Sequence, residues 1–202
     1  MRVSQYRAIF TRAHELQSEI HAAGTDGLRL YQANSNGLAV PSARWHAKNR
    51  RYELWGDVVA DFLNHALAPA VGEIVGAPVV PTYPWPVEYV ERGKIDIHVD
   101  QVDNEISLSY SVDDAGDGHE WPLYFMDTNR TLGPGEEGPD VIDVDVWSYE
   151  NAAKVLLGNN DGVIYRGRDL LHWRGEGRGN DRLRQLVFAW RRVDERACLG
   201  SL

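Results

Sequence analysis

A series of short strand-like runs begins at residue 79 and constrains the fold more than any other feature of the sequence. Each run is rich in β-branched and aromatic residues, and Gly, Asp, Asn or Pro separate the runs, which is typical of strands joined by turns. The runs are VVPTYPWPVEYV (79–90), KIDIHVDQ (94–101), EISLSYSV (105–112), WPLYFM (121–126), DVIDVDVW (140–147), GVIYRG (162–167) and RQLVFAWRRV (184–193). No helix-length periodic segment lies between them, apart from SYENAAKVLLG (148–158), which is predicted to be either a short helix or a loop. This pattern favours a sandwich, jelly roll or barrel over a parallel α/β sheet.

The chain before these runs is predicted to be mainly helical. Residues 2–22 carry apolar side chains at the helical period, and a second helix is predicted from about Trp55 to Ala68, with Pro69 as a break. The region 31–51 is predicted to be a loop. The expected fold is therefore mainly β. Among the three alternatives, a double-stranded β-helix (jelly roll) with N-terminal supporting helices is the one that the family resemblance of residues 52–194 implies.

The length and composition indicate a single domain over residues 1–202, with residues 1–76 as mainly helical support and 79–194 as the jelly-roll core. A single cysteine excludes an internal disulfide framework and is typical of a reducing compartment. The net charge of −9 disfavours a nucleic-acid partner. No signal peptide or membrane span is evident, so we expect a cytoplasmic protein without a membrane partner. The oligomeric state is not predicted.

The run GKIDIHVDQVDN places His98 and Asp100 two positions apart in a predicted strand. Residues at this spacing point to the same face of a strand. An imidazole and a carboxylate that face inward together form either an ordinary buried hydrogen bond or two-thirds of a metal site.

A metal site would need a third ligand, and two histidines downstream are candidates. His119 lies in DDAGDGHEW, which is predicted to be a hairpin loop and would hold a ligand poorly. His172 follows a strand and a glycine-containing turn, where a sheet can hold it. The set His98, Asp100 and His172 would provide two histidines and one carboxylate, which bind one face of an octahedral iron and leave the opposite face open.

These residues occur in a context that resembles the Fe(II)- and 2-oxoglutarate-dependent dioxygenases, in particular the prolyl-hydroxylase-like branch and compact bacterial members. The resemblance covers about Tyr52 to Asp194 and rests on an ordered set of segments: PTYPWPVEYVERGKIDIHVD, EISLSYSV, EWPLYF, GVIYRGRDLLHWR and RLRQLVFAWRRVD. It implies that His98, Asp100 and His172 bind Fe(II), and that 2-oxoglutarate and O2 are cosubstrates.

The resemblance also implies a basic residue, on the strand after the distal histidine, that binds the far carboxylate of 2-oxoglutarate. An arginine suits a carboxylate geometrically and keeps its charge. In prolyl-hydroxylase-like members this residue precedes a tryptophan by six positions, so Trp190 selects Arg184. The spacing from His172 is longer than usual, which leaves Arg182 as a second choice.

Three further residues are candidates for the same site. Tyr110 resembles a strand tyrosine of the family that helps to hold the far carboxylate, and Tyr89 resembles another that reaches towards the cosubstrate. Arg174 could contact an acidic group of the substrate, or it could form a loop contact with Asp169 or Glu176. A packed amphipathic side chain remains the alternative for each tyrosine.

The function that the resemblance implies is oxygenation of an amino acid, a peptide or a secondary metabolite, with release of succinate and CO2. The presence of Asp100 favours a hydroxylase, desaturase or cyclase, because halogenating relatives have a small residue at this position. Two alternatives stay open. One is a cupin-type metalloenzyme that does not use 2-oxoglutarate, and the other is a non-enzymatic β-sandwich binding module.

Overall fold

The computed structural model describes residues 42–114, 121–127, 152–177 and 182–193. Within these ranges the chain forms one long helix, α1, and two antiparallel sheets. The predicted helix at 2–22, His119 and the predicted strand at 140–147 lie outside the described residues. The assignment of residues 1–202 to one domain stays a prediction.

The strands divide between a large and a small sheet. The large sheet contains β1 (Ser42–His46), β2 (Arg51–Trp55), β3 (Val79–Pro81), β4 (Trp85–Val90), β6 (Ile106–Asp114), β9 (Gly162–Tyr165) and β11 (Arg182–Arg192). The small sheet contains β5 (Ile95–His98), β7 (Leu123–Asp127), β8 (Ala153–Val155) and β10 (Leu170–Arg174). The spatial orders are β1-β2-β4-β11-β6-β9, with β3 on β11, and β5-β10-β7-β8.

The chain crosses between the two sheets at almost every connection from β4 to β11. This path places β4 beside β11 in the large sheet and β5 beside β10 in the small sheet, so strands distant in sequence become neighbours. Such a path is that of a jelly roll, and the predicted fold class is confirmed. Apolar side chains of both sheets meet between them: Val87 and Leu183 of the large sheet pack in one cluster with Trp121, and Tyr165 packs with Phe125.

The alternation of side chains along β11 assigns each residue to one of two faces. Leu183 and Val187 pack between the sheets. The residues of the opposite parity, Leu186, Phe188 and Trp190, pack with α1 residues. Since successive side chains point to opposite faces of a strand, Arg184 lies on the outer face of the large sheet and Gln185 on the inner face.

Helix α1 spans Val58–Val75 and covers the outer face of the large sheet. Asp57 is its N-cap residue, and its side chain accepts hydrogen bonds from Val59 N and Ala60 N at 2.9 and 3.1 Å. Gly76 ends the helix in the left-handed conformation, with φ of 71°, which glycine adopts without a steric penalty.

The predicted end of this helix near Pro69 was wrong. The helix continues to Val75 because Pro69 and His65, whose carbonyl loses its helical hydrogen bond, both lie on the exposed side. The opposite side contributes Val71 to the buried cluster beyond the proline. Packing of that side therefore outweighs the lost hydrogen bond.

Two further local predictions are corrected by the structure. Part of the predicted loop 31–51 forms β1, and the chain continues into β2, which pairs with β4 and extends the large sheet. The tilted ring pair of Trp45 and Tyr52, with centroids 4.6 Å apart, joins β1 to β2. The segment 148–158, predicted as a helix or a loop, contributes β8, which pairs with β7. β2 and β8 each pair with a strand distant in sequence, whereas β1 pairs with the neighbouring β2.

Among the described residues, no helical segment combines the length and apolar character that a bilayer crossing requires.

The N-cap of α1 provides a test of how much this helix contributes to stability. Replacing Asp57 with Ala removes both cap hydrogen bonds and should lower the free energy of unfolding by about 1 kcal/mol. Asp57→Ser retains a capping oxygen and should cost clearly less. Urea unfolding followed by tryptophan fluorescence measures both, and equal midpoints for wild type and Asp57→Ala would contradict this role.

Candidate metal centre

Three side chains from the small sheet and its adjoining loop converge on one point. His98 ends β5, and His172 lies at the middle of β10, directly opposite His98 in the antiparallel pairing of these strands. Asp100 follows β5 by two residues. One oxygen of Asp100 lies 3.6 Å from His98 Nε2 and 3.4 Å from His172 Nε2. All three ligand atoms lie within 4.8 Å of one another, so the predicted triad forms a group that could hold a metal ion.

Backbone carbonyls orient both imidazoles in the same way. His98 Nδ1 donates a hydrogen bond to Asp96 O, and His172 Nδ1 donates one to Leu170 O, each at 2.9 Å. A carbonyl can only accept, so Nδ1 carries the proton in each ring and Nε2 keeps its lone pair for the shared point. A metal-binding histidine commonly has this second hydrogen bond, because it fixes the tautomer and the ring orientation.

Asp100 is held by contacts on both its backbone and its side chain. Its amide donates to Gly167 O at 2.8 Å. Ser107 Oγ donates to Asp100 Oδ2 at 2.5 Å, which leaves Oδ1 for the two histidines. A Cβ at position 167 would overlap both Asp100 Oδ2 and Ser107 Oγ. The carboxylate can therefore approach the turn before β10 only because residue 167 is glycine.

The two histidines keep the buried Asp100 carboxylate charged. Burial by itself would raise the pKa of Asp100, but the charges and hydrogen bonds of His172 and His98 lower it far below its usual range. Burial lowers the pKa of His98, and the neighbouring His172 lowers it further. Burial opposes protonation of His172 too, yet Asp100 outweighs this and raises its pKa. The Asp100 carboxylate therefore carries a negative charge that a cation can neutralise.

Aromatic rings close the inner side of the triad. The Tyr165 ring meets the His172 ring at 4.8 Å between centroids, and the Phe125 ring lies at 6.1 Å. Tyr165 OH shares a hydrogen bond of 3.3 Å with Ser109 Oγ. Burial and the nearby Asp100 carboxylate raise the pKa of Tyr165 well above its usual value, so this phenol stays protonated.

Tyr165 was not among the candidates from the sequence, although it lies closer to the triad than the two tyrosines that were. The sequence places Tyr165 at the end of the strand GVIY, two residues after Val163, so the two side chains share one face of the strand. That this face is the inner one became evident only from the pairing of Ser107 with Tyr165 in β6 and β9.

The donor set fits a divalent iron site. Two neutral imidazole nitrogens and one carboxylate oxygen form the facial arrangement that non-haem Fe(II) accepts while leaving other positions open. The atoms of these side chains that would not bind the metal, Nδ1 of each histidine and Oδ2 of Asp100, each have a hydrogen bond. No further group of three or more His, Cys, Asp or Glu side chains with this proximity occurs in the described part of the chain.

A cleft of about 390 Å³ opens on the outer side of the triad. Its lining includes His98 and Asp100, together with Trp85, Val187 and Ala189 of the large sheet. Strands β1 and β2 and the turn between them contribute His46, Lys48, Asn49, Arg51, Glu53 and Trp55. This size is within the range of clefts that hold small organic ligands.

The structure does not bring Arg184 or Arg182 to the triad. Arg184 is buried on the outer face of the large sheet, where its Nε lies 3.6 Å from Glu88 Oε1. Arg182 shares this face and this carboxylate, also at 3.6 Å, and is partly exposed. The spacing to Trp190 holds in the sequence, but Trp190 itself packs on α1 and donates its Nε1–H to Asn64 O at 3.0 Å.

The two predicted tyrosines lie on opposite faces of the large sheet. Tyr110 packs with the cluster under α1 and donates to Asn160 Oδ1 at 3.2 Å, so it does not reach the inner face. Tyr89 is buried between the sheets, with its ring 5.9 Å from that of Trp121. Tyr89 therefore lies on the face expected for a cosubstrate contact.

Arg174 lies inside the jelly roll and is only 2% exposed. It follows His172 by two residues on β10 and shares its inward face. Its guanidinium lies 5.9 Å from the centre of the Tyr89 ring and donates to Trp121 O. Of the two alternative loop partners, Asp169 approaches Arg166, and Glu176 pairs with Arg92.

Comparison with solved structures identifies the architecture. HygX from Streptomyces hygroscopicus, with nickel, 2-oxoglutarate and hygromycin B bound, matches with a TM-score of 0.54 and 8% identity over 84% of this chain and 80% of its own. The epimerase SnoN, in complex with Fe3+, α-ketoglutarate and nogalamycin RO, matches with a TM-score of 0.54 and 12% identity over 92% and 81%. A Pseudomonas putida prolyl-4-hydroxylase matches with a TM-score of 0.54 and 10% identity over 96% and 89%. The chain has the fold of the Fe(II)/2-oxoglutarate oxygenases.

This result confirms the resemblance at the level of the fold. No protein-family profile matches the sequence, and no curated protein matches it.

The close approach at Gly167 provides a test of the triad geometry. Gly167→Ala should displace Asp100 and weaken Mn(II) binding by about tenfold or more, the usual cost of disturbing the contacts that support a metal ligand. Gly158→Ala is the matched control, because its added Cβ would meet only the end of the Asp161 side chain, at 3.2 Å. Calorimetric titration with Mn(II) measures both, and wild-type affinity in Gly167→Ala would contradict the assigned position of Asp100.

Proposed function

We propose that this chain is an Fe(II)- and 2-oxoglutarate-dependent oxygenase that hydroxylates a small-molecule or peptide substrate and releases succinate and CO2. The observation that carries the proposal is the convergence of His98, Asp100 and His172 between the sheets of a jelly roll, next to an open cleft. An amino acid, a peptide or a secondary metabolite is the substrate class that we infer.

The similar structures support this proposal through what they contain. HygX and SnoN were crystallised with a metal ion and 2-oxoglutarate or α-ketoglutarate, and also with the small molecules hygromycin B and nogalamycin RO. The cleft in this chain is large enough for a ligand of moderate size. Its position beside His98 and Asp100 would bring such a ligand to the metal side of the triad.

Different residues of the chain would bind the metal and exclude water at this site. His98, Asp100 and His172 would bind Fe(II), and their supporting hydrogen bonds would hold the three ligand atoms in place before metal binding. When bound, Fe(II) and 2-oxoglutarate supply oxidative decarboxylation coupled to oxidation of the substrate. Phe125 and Tyr165 exclude water from the inner side, which protects such chemistry from side reactions.

The cleft wall indicates a polar substrate. Arg51 donates through Nε and Nη2 to Glu53 Oε1 at 2.8 and 2.7 Å, so the two buried charges compensate each other. The Arg51 guanidinium also lies 4.9 Å from the centre of the Trp85 ring. A wall that combines an aromatic face with a compensated ion pair suits a molecule with both apolar and hydrogen-bonding surface.

Thermal unfolding with the metal and the cosubstrate tests the proposal. Mn(II) should raise the melting temperature, and 2-oxoglutarate should raise it further only when metal is present, because each ligand binds the native state. A ligand at 100 times its dissociation constant adds about 2.7 kcal/mol of stability. His98→Ala and His172→Ala should lose both shifts. With Fe(II) and O2, the wild type should convert 2-oxoglutarate to succinate, and the two variants should not.

His65→Ala is the matched control, because His65 is exposed on α1 and makes no contact with the triad. This variant should behave as wild type in every assay. A metal shift without any effect of 2-oxoglutarate would instead support the cupin-type alternative. The absence of both shifts would leave the triad as a structural hydrogen-bonded group and would overturn the proposal.

A further inference from the structure

The inner face of β11 presents no cation between Leu183 and Ala189. The inward-facing residues of this stretch are Leu183, Gln185, Val187 and Ala189. Both arginines that the sequence suggested as anchors for 2-oxoglutarate lie on the outer face, with Glu88. A dicarboxylate that enters the space between the sheets therefore needs a positive charge from another strand.

Strand β10 supplies such a charge at Arg174. Residues rise by about 3.3 Å along a strand, so the Arg174 side chain begins about 6.6 Å further along β10 than that of His172 and points to the same side. The four C–C bonds of an extended 2-oxoglutarate span about 5 Å. A molecule bound by its keto acid end beside His172 would thus bring its other carboxylate to the region of the Arg174 side chain.

Two polar side chains on the facing sheet add to this region. Gln185 of β11 and Ser111 of β6 are directly paired across the large sheet, and both are buried. Within the part of the chain that the structure describes, Gln185 Nε2 and Ser111 Oγ have no hydrogen-bond partner. A buried donor without a partner costs free energy, which a bound acceptor would recover.

Tyr89 connects the arginine to these two residues. Its ring lies under the Arg174 guanidinium at 5.9 Å. Its register partner on β11 is Leu183, and Gln185 is the next inward-facing residue of that strand. The buried cation and the donors without partners therefore border one region between the sheets.

We propose that Arg174, assisted by Gln185 and Ser111, binds the distal carboxylate of 2-oxoglutarate, so that the cosubstrate anchor lies on β10 and not on β11. This inference rests on the proposed function. An arginine keeps its charge when buried and can bind a carboxylate through two parallel hydrogen bonds.

Calorimetric titration of the Mn(II)-loaded protein with two keto acids tests this assignment. 2-Oxobutyrate has the same keto acid end as 2-oxoglutarate but lacks the distal carboxylate. The wild type should bind 2-oxoglutarate about 100-fold more tightly than 2-oxobutyrate, since an interaction with a buried charge is lost in the shorter acid. Arg174→Gln should lose about 30-fold or more in 2-oxoglutarate affinity and keep its 2-oxobutyrate and Mn(II) affinities within about threefold.

Arg184→Gln and Arg182→Gln are the matched arginine variants. Both should retain the wild-type preference for 2-oxoglutarate, because their side chains lie on the other face of the sheet. If Arg184→Gln loses the preference and Arg174→Gln keeps it, the anchor lies on β11 and the inference is overturned, while the proposed function stands. Equal losses for both keto acids in Arg174→Gln would overturn it as well.

Two further variants keep the test decisive if Arg174→Gln does not fold. Gln185→Leu and Ser111→Ala leave the buried arginine in place and remove one donor each. Each should weaken 2-oxoglutarate binding about threefold to tenfold without changing 2-oxobutyrate binding, which is the scale of one hydrogen bond to a charged group. Unchanged affinity in both would contradict the assignment. A wild type that binds neither keto acid would instead count against the proposed function itself.

Discussion

The pairing of β5 with β10 is the interaction on which the rest of the site depends. These strands are separated by more than 70 residues in sequence, yet they place His98 and His172 opposite each other, with ring centroids 4.2 Å apart. Side chains alternate with a period of two, so a slip of one residue would turn His172 to the other face and separate the ligands. The candidate metal centre is therefore a property of the assembled small sheet and not of either strand alone.

A second constraint is that a charged carboxylate is buried between the two sheets, near aromatic and apolar side chains. Asp100 stays charged there because two imidazoles and the Ser107 hydroxyl surround it. Burial lowers the pKa of His98, and the neighbouring His172 lowers it further. A divalent cation would be attracted by all three ligand atoms at once. Supported ligands around a space of negative charge are what a metal-binding site requires before the metal arrives.

Several features of this arrangement could be predicted from the sequence, and others could not. The strand-rich region and the candidate triad could be predicted, although Asp100 lies two residues beyond the end of β5 and not within the strand as expected. Which face of β11 is interior could not be predicted from the sequence. In the segment RLRQLVFAW, one set of alternate residues contains the two arginines and large apolar residues, and the other set contains Gln185 with small or apolar residues. Either set could face inward. The spacing to Trp190 selected Arg184, which the structure places on the outer face.

The sequence by itself determined the strand-rich architecture, the identity of the ligand residues and the composition of the two possible faces of each strand, since these follow from local periodicity and residue chemistry. Only the tertiary structure decided which face is interior. The packing of Leu186, Phe188 and Trp190 with α1 turns Arg184 outward and leaves Gln185 inside with Arg174 and Tyr89. The physical reason is that burial of the largest apolar side chains selects the phase of the whole strand, and every polar residue on that strand must follow.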